Sequence, residues 1–275
     1  MRIYNNIMAI NAYRNVSLRY NALMRSMERL SSGLRINRAA DDPAGLAISE
    51  RMRAQIRGLK QASRNAQDAI SMLQVAEGAL NQTSAILQRI RELTVQAATG
   101  TNSESDLEAI QLEIEQLLDE LNRIAGDTNF NTIPLLNSQS ESKQPSSATF
   151  RIQIGANSGQ YMEISLANMG AAALGIAEID VTKDADGALS LVEQAIKMAA
   201  SERGKIGAYQ NRLEHTINNL EQTALNLQAA ESRIRDADLA EEMMEYTKNL
   251  ILLQAAVAML AQANAVPQMV LRLLW

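Results

Sequence analysis

The chain has no cysteine, a single histidine and few aromatic residues. Without cysteine it has no disulfide bond, thiolate nucleophile or thiolate metal ligand, and one histidine, His215, excludes the two-histidine zinc motif H-E-x-x-H. Aromatic residues make up 3% of the 275 residues, so a thick globular core is not expected. These absences favour thin contacts between helices.

No catalytic arrangement stands out in the sequence. Gly204 and Lys205 lack the upstream glycine and the following Ser or Thr of a phosphate-binding loop, and no nucleophile lies beside a recognisable base. His215 is expected on the outer face of a helix, in a structural role. The sequence predicts a protein that is not an enzyme and that uses no cofactor or metal.

The net charge of −5 conceals an uneven distribution. Residues 1–64 carry a net charge of +8 and the remainder carries −13, so opposite ends can attract each other electrostatically. The basic run from Arg51 to Arg64 lacks interleaved aromatic residues and a recognisable binding module. We therefore expect no nucleic-acid partner.

Both ends of the chain carry narrow apolar stripes in steps of three and four residues, the spacing of a coiled coil. The N-terminal stripe comprises Val16, Tyr20, Leu23, Met27, Leu30 and Leu34, and a second stripe comprises Leu213, Ile217, Leu220, Ala224 and Leu227. Each stripe needs a partner helix, from the same chain or from a neighbouring copy. An ordinary antiparallel bundle satisfies the same pattern.

Start and stop signals divide the region between these stripes. Gly33 interrupts the first helix, and Asp42 with Pro43 predicts the cap and first residue of a helix that extends to about residue 98. That helix would be about 80 Å long. A third helix, preceded by a capping box at Ser103, ends near Gly126. Two apolar stripes on the long helix predict contacts on two sides: Met72, Val75, Ala79, Ile86, Ile90 and Leu93, and Ile70, Leu73, Leu80 and Leu87.

Strand-like sequence occurs in the middle of the chain. Apolar and polar residues alternate at 150–154 and 162–166, which predicts a β-hairpin that rests on the helices. The Ser- and Gln-rich loop at 138–147 is a candidate surface for variation or glycosylation. The predicted fold class is mainly α, with long antiparallel helices forming a coiled-coil bundle and a small central β-hairpin region.

The C-terminal segment at residues 249–271 contains no charged residue and by length would suit a membrane-spanning tail anchor. However, it includes five side-chain amides and Pro267, and amides in lipid need internal partners. Its many alanines suit close approach between protein helices. We expect burial in an assembly and no membrane insertion, with a tail-anchored coiled-coil protein as the alternative.

Residues 30–50 carry a long motif, Leu-Ser-Ser-Gly-Leu-Arg-Ile-Asn-Arg-Ala-Ala-Asp-Asp-Pro-Ala-Gly-Leu-Ala-Ile-Ser-Glu. It resembles the N-terminal signature of bacterial flagellin. Further matching runs lie at 55–59, 87–93, 208–220, 232–238 and 260–264. The resemblance therefore covers both ends of the chain.

The resemblance implies a structural subunit that polymerises into the bacterial flagellar filament for swimming motility, in a short form without outer inserted domains. It implies that terminal helices at 1–33 and 235–275 form an inner-tube coiled coil. An outer-tube helical domain would occupy 34–234 and include a β-hairpin region at about 127–187. A hook–filament junction protein, which resembles flagellin only at its ends, is the related alternative.

The resemblance also implies partners and a location. We expect a secreted, extracellular subunit that contacts copies of itself, hook-associated proteins and cap proteins. Residues 1–16 show no general signal peptide, so export would use the flagellar secretion apparatus, with a dedicated export chaperone at residues 249–274. Termini that are disordered in the monomer would order on assembly. The expected polymerisation seams comprise Ile3, Ile7, Ile10, Val16, Tyr20, Leu23, Met27, Leu30, Leu250, Leu253, Val257 and Leu260.

A further expectation concerns recognition by animals. Some flagellins are recognised by a Toll-like receptor of innate immunity through the outer-tube helices. Arg89, Leu93 and Glu113 match the positions that carry that contact in the family. The resemblance implies competence to be recognised, although Leu93 also belongs to an apolar packing stripe.

Overall fold

The computed structural model describes residues 5–137 and 148–273, with side chains described as far as residue 268. Ile3 and the predicted loop at 138–147 lie outside these residues. The described helices are α1 (Ile7–Ser32), α2 (Pro43–Ala97), α3 (Glu104–Asp127), α4 (Ala185–Arg235) and α5 (Leu239–Leu273). The described strands are β1 (Asn129–Phe130), β2 (Ile133–Pro134), β3 (Ala148–Gln153) and β4 (Tyr161–Leu166). The fold is mainly α with a small central β region, as predicted.

The chain divides into two compact units. Met1–Ile56 and Leu225–Trp275 form one, which we call the terminal unit, and Arg57–Ala224 form the other, the central unit. The unit boundaries fall inside α2 and α4. The predicted limits near residues 33 and 235 concern the layers of a filament, and they stay a prediction.

Helix boundaries follow local signals in the sequence. Gly33 ends α1 in the left-handed conformation, with φ 70°, which glycine adopts without a steric penalty. The Asp42 carboxylate accepts a hydrogen bond from the backbone N–H of Gly45 at 2.9 Å, and α2 begins at Pro43. The predicted capping box at Ser103 is present at the start of α3. These three boundary predictions are confirmed.

The central unit has an apolar core to which α2, α3, α4 and the β3–β4 hairpin contribute. One face of α2 supplies the fully buried side chains of Leu73, Leu80, Leu87 and Ile90. Val75, which belongs to one of the two predicted apolar stripes, is 42% exposed within the chain. Two residues correspond to about 200° of rotation around a helix, so Val75 points away from the face that carries Leu73.

The predicted central hairpin is confirmed. β3 and β4 pair antiparallel, with Phe150 opposite Ile164 and Ile152 opposite Met162. Apolar residues of β4 are buried at every second position, so one face of the hairpin packs into the core. The packing supplies the support that an isolated hairpin lacks.

A second, shorter hairpin, β1–β2, was not predicted. Its turn places Asn131 at φ 49° and Thr132 at φ 67°. Tight hairpin turns with two residues at positive φ usually contain glycine. Here Asn131 is followed by Thr132 and not by glycine, so the sequence lacks the full Asn-Gly turn signal.

Glu202 is a buried carboxylate that holds the chain just after β4. It is 2% exposed, and one oxygen accepts a hydrogen bond from the backbone N–H of Ala167 at 2.9 Å. The other oxygen pairs with the Lys205 ammonium at 2.9 Å, and this contact raises the pKa of Lys205. Both carboxylate oxygens therefore have partners, which is the condition under which a charge is tolerated inside a protein.

Replacing Glu202 by alanine should lower the free energy of unfolding by about 2 kcal/mol, because the N–H of Ala167 loses a charged acceptor. The control is Glu193→Ala, which breaks a half-exposed ion pair with Arg91 and should cost less than about 1 kcal/mol. Urea denaturation of the monomers, followed by circular dichroism, measures both. Equal losses would contradict the role of burial.

Candidate functional site

Helices α1 and α5 of the terminal unit pack against each other as an antiparallel pair. The least exposed residues of α5 recur in steps of four and three residues: Glu242, Tyr246, Asn249, Leu253, Ala256, Leu260 and Ala263. The matching positions of α1 are Ala9, Ala12, Val16, Leu23, Ser26 and Leu30. This is coiled-coil spacing. We call these two sets of residues the α1–α5 seam.

Several polar groups are buried in the α1–α5 seam. Ser26 is 2% exposed, Asn249 6% and Glu242 7%. Arg29 lies 3.6 Å from one carboxylate oxygen of Glu242, and the other oxygen has no hydrogen-bond partner within the described chain. A polar residue at a seam position specifies the register of a coiled coil at some expense of stability. These groups therefore favour one alignment of α1 on α5.

A backbone bridge joins the segment after α1 to the segment after α4. The N–H of Arg35 donates to the carbonyl of Arg235 at 2.7 Å, and the N–H of Ala237 donates to the carbonyl of Gly33 at 3.0 Å. The Arg235 side chain also donates to Glu50 at 2.8 Å, which lowers the pKa of Glu50. The partners come from two of the motifs that carry the family resemblance, so these motifs share a structural role.

The outer faces of α1 and α5 expose large apolar side chains. Monomeric soluble proteins rarely leave extensive apolar patches in water, and such patches mark interaction sites. The following residues are between 46% and 67% exposed: Ile7, Met8, Ile10, Tyr13, Leu18, Tyr20, Met24 and Met27 on α1, and Leu239, Met243, Met244, Ile251, Val257 and Met259 on α5. We call this set the outer apolar surface.

The predicted polymerisation residues divide between these two surfaces. Val16, Leu23, Leu30, Leu253 and Leu260 lie on the α1–α5 seam, and Leu250 is half-buried beside it. The others that the structure describes are exposed: Ile7, Ile10, Tyr20, Met27 and Val257. The role of both groups in polymerisation stays a prediction.

Sequence reasoning missed much of the outer apolar surface. Met8, Tyr13, Leu18 and Met24 fall outside the single stripe that was traced along α1. A second apolar stripe on the same helix is the signal that could have revealed them. Two apolar faces indicate that α1 has more than one partner.

The residues of the predicted receptor contact lie in the central unit. Arg89 of α2 donates to Glu113 of α3 at 2.8 Å and lies 3.3 Å from Glu92, and the hydrogen bond to Glu113 raises the pKa of Arg89. Leu93 is 2% exposed and belongs to the apolar core. Arg89 and Glu113 are thus accessible while Leu93 is not, and the receptor contact stays a prediction.

The described residues contain no cluster of three His, Cys, Asp or Glu side chains suited to a metal ion. By length and composition, Leu239–Gln268 of α5 is able to cross a membrane, with a mean hydropathy of 1.6 and 6% of that stretch buried in the chain. The exposed surface of α5 requires a cover of lipid or of protein.

Comparison with known proteins identifies the family of the chain. A model of the bacterial flagellin N-terminal helical region matches residues 3–141, and a model of the bacterial flagellin C-terminal helical region matches residues 189–274. Flagellins of Halalkalibacterium halodurans and Bacillus subtilis are 51% and 52% identical, over 100% of this chain and of each relative. The chain belongs to the bacterial flagellin family. It is a structural subunit of the flagellar filament, an extracellular appendage, and it is not an enzyme.

The matches extend over the full length of short relatives, so the chain is a short form without outer inserted domains. The structure of a Vibrio parahaemolyticus protein described as flagellar hook-associated is also similar, with a TM-score of 0.57 over 71% of this chain and 100% of that chain. Sequence identity to that protein is 13%. At this identity the likeness shows the fold alone.

Proposed function

We propose that subunits of this flagellin join by burying the outer apolar surface of α1 and α5 against neighbouring copies. The exposure of these large side chains, between 46% and 67%, is the observation that carries the proposal. Each subunit contributes its α1–α5 pair to the wall of a tube. The α1–α5 seam holds the two helices of one subunit together, and the outer apolar surface joins subunits.

The free energy available is sufficient for association. Fully burying a large apolar side chain contributes about 1.5–3 kcal/mol, so each half-exposed one contributes about 1 kcal/mol. The summed contribution of the outer apolar surface is comparable to the loss of translational and rotational freedom on association, which costs about 4–15 kcal/mol. Attraction between the basic residues 1–64 and the acidic remainder of a neighbour adds to it.

The proposed layers follow the chain order. Residues 1–33 and 235–275 form the inner tube, and residues 34–234 form the outer tube. Slight shifts between neighbouring subunits let the tube adopt supercoils that convert rotation into thrust. Apolar contacts suit such shifts because they lack the strict directionality of hydrogen bonds.

The outer apolar surface would also contact the proposed partners of the subunit before and during assembly. An export chaperone covers residues 249–274 until secretion, which keeps the apolar helix from aggregating. The subunit then passes unfolded through the flagellar secretion apparatus, and α1 and α5 order together as they are buried. Cap and hook-associated proteins contact the same terminal helices at the ends of the filament.

Seeded growth of filaments tests this proposal. Purified monomers are mixed with filament fragments at neutral pH, and negative-stain electron microscopy measures the length added. Long uniform tubes are expected. Caps that stop growing on the seeds would favour the junction-protein alternative, and recovery in the membrane fraction of a detergent-free lysate would favour a tail anchor.

Charged substitutions should separate the two surfaces. Tyr20→Asp, on the outer apolar surface, should block seeded growth while α1 and α5 keep their pairing, because the buried carboxylate would face a neighbour unpaired. Leu260→Asp, on the seam, should block growth and also lower the helical content of the monomer measured by circular dichroism. Leu112 is 64% exposed outside the terminal helices, so Leu112→Asp is the matched control. Unimpaired growth of Tyr20→Asp would contradict the proposed interface.

Removing either terminus should abolish growth without unfolding the rest of the protein. Deletion of residues 1–15 or 257–275 removes part of the outer apolar surface but leaves the core of the central unit intact. Soluble helical monomers are expected by circular dichroism and size-exclusion chromatography. Filaments formed by either truncated protein would refute the proposed role of the terminal helices.

We infer that a flagellin-recognising Toll-like receptor contacts the chain at the exposed ion pair of Arg89 and Glu113, and not at buried Leu93. Arg89→Ala should lower activation of the flagellin-recognising Toll-like receptor in reporter cells by about tenfold, the usual effect of losing a charged contact. Glu92→Ala alters the weaker partner of Arg89 and serves as the control. Equal activation by the Arg89 variant and the native monomer would reject this contact.

A further inference from the structure

Pro267 removes one backbone hydrogen-bond donor from the interior of α5. In an α-helix the carbonyl of residue 263 accepts a hydrogen bond from the N–H of residue 267, but proline has no backbone N–H. Pro267 lies inside α5, so the carbonyl of Ala263 loses its usual helical donor. Ala263 is 8% exposed and lies on the α1–α5 seam, where a carbonyl without a donor is unfavourable.

The side chain of Asn6 replaces this missing donor. Its amide nitrogen donates to the carbonyl of Ala263 at 2.9 Å. Its amide oxygen accepts a hydrogen bond from the backbone N–H of Ala9 at 3.1 Å and caps the N-terminus of α1. One amide group thus hydrogen-bonds to the backbones of two helices that are far apart in the sequence.

We propose that Asn6 is a positioning residue for assembly: it docks the start of α1 onto the proline break of α5 and so aligns the two helices. The contact is directional, and it can form only when α1 and α5 are paired in one register. At the other end of α1, the ion pair of Arg29 with Glu242 marks the same register. The inference rests on the proposed burial of the terminal helices in the filament.

The chemistry of the site requires both halves of the amide. Aspartate is as good an N-cap as asparagine, and its charge favours the positive end of a helix. However, aspartate has no donor at neutral pH, so it would set a carboxylate against the carbonyl of Ala263. Asn6→Asp therefore keeps the cap of α1 and removes the docking contact.

Asn6→Asp should slow seeded filament growth by about tenfold at equal monomer concentration, the effect of leaving one buried acceptor without a partner. The apparent affinity falls in proportion to the fraction of subunits whose termini are correctly paired. Asn5 is exposed and adjacent, so Asn5→Asp adds the same charge without touching Ala263. The Asn5 variant should elongate seeds at the native rate.

Pro267→Ala provides a second background on which to measure the effect of Asn6→Asp. Alanine restores the N–H that donates to the carbonyl of Ala263, so the donor of Asn6 is no longer required. Asn6→Asp should slow growth by less than about threefold on the Pro267→Ala background, against about tenfold on the native background. A residue that acted only as a helix cap would show no loss on either background, because aspartate keeps the cap.

Three results would overturn the inference. The first is growth of Asn6→Asp at the native rate. The second is a loss of growth rate in Asn5→Asp equal to that in Asn6→Asp. The third is an equal loss from Asn6→Asp whether residue 267 is proline or alanine. Failure of the native protein to elongate seeds would refute the proposed function itself. If the native protein elongates seeds and Asn6→Asp elongates them at the same rate, only the docking contact is rejected.

Discussion

The two terminal helices must each be covered on two sides, and the rest of the terminal unit follows from this constraint. In a soluble coiled coil the large apolar residues lie in the seam and polar residues face water. Here about half of the α1–α5 seam consists of small or polar residues, such as Ala9, Ala12, Ser26, Asn249 and Ala256. Other large apolar side chains lie outside the seam, on the outer apolar surface. In the proposed filament, the outer apolar surface is left for neighbouring subunits.

The central unit has the opposite character. Its core contains fully buried Leu and Ile side chains from three helices and a hairpin, the start of α3 is capped, and its buried carboxylate at Glu202 has partners on both oxygens. Such a unit is stable by its own contacts. The chain thus joins a unit with its own apolar core to a unit whose two helices expose large apolar side chains.

Local signals in the sequence predicted most of the fold, because caps and turns depend on neighbouring residues. Asp42, Ser103 and Gly33 acted as expected, and alternation alone located the central hairpin. Periodicity predicted which residues share a helix face but not which chain covers that face, so Leu23 and Tyr20 were grouped together although one is buried and the other exposed. The turn at Asn131 was missed for lack of glycine.

A helix that is apolar on several sides has little to fix its position along a partner. The hydrophobic effect is non-directional, and a shift of the contact by one heptad buries almost the same area. Directional groups must therefore select the alignment. In α5 these are the carboxylate of Glu242, which forms an ion pair with Arg29 of α1, and the carbonyl of Ala263, which accepts a hydrogen bond from Asn6 at the N-cap of α1. Proline has no backbone N–H, so Pro267 leaves a backbone acceptor without its helical donor at one defined position of α5. In the proposed docking contact, this acceptor sets the alignment of the two helices.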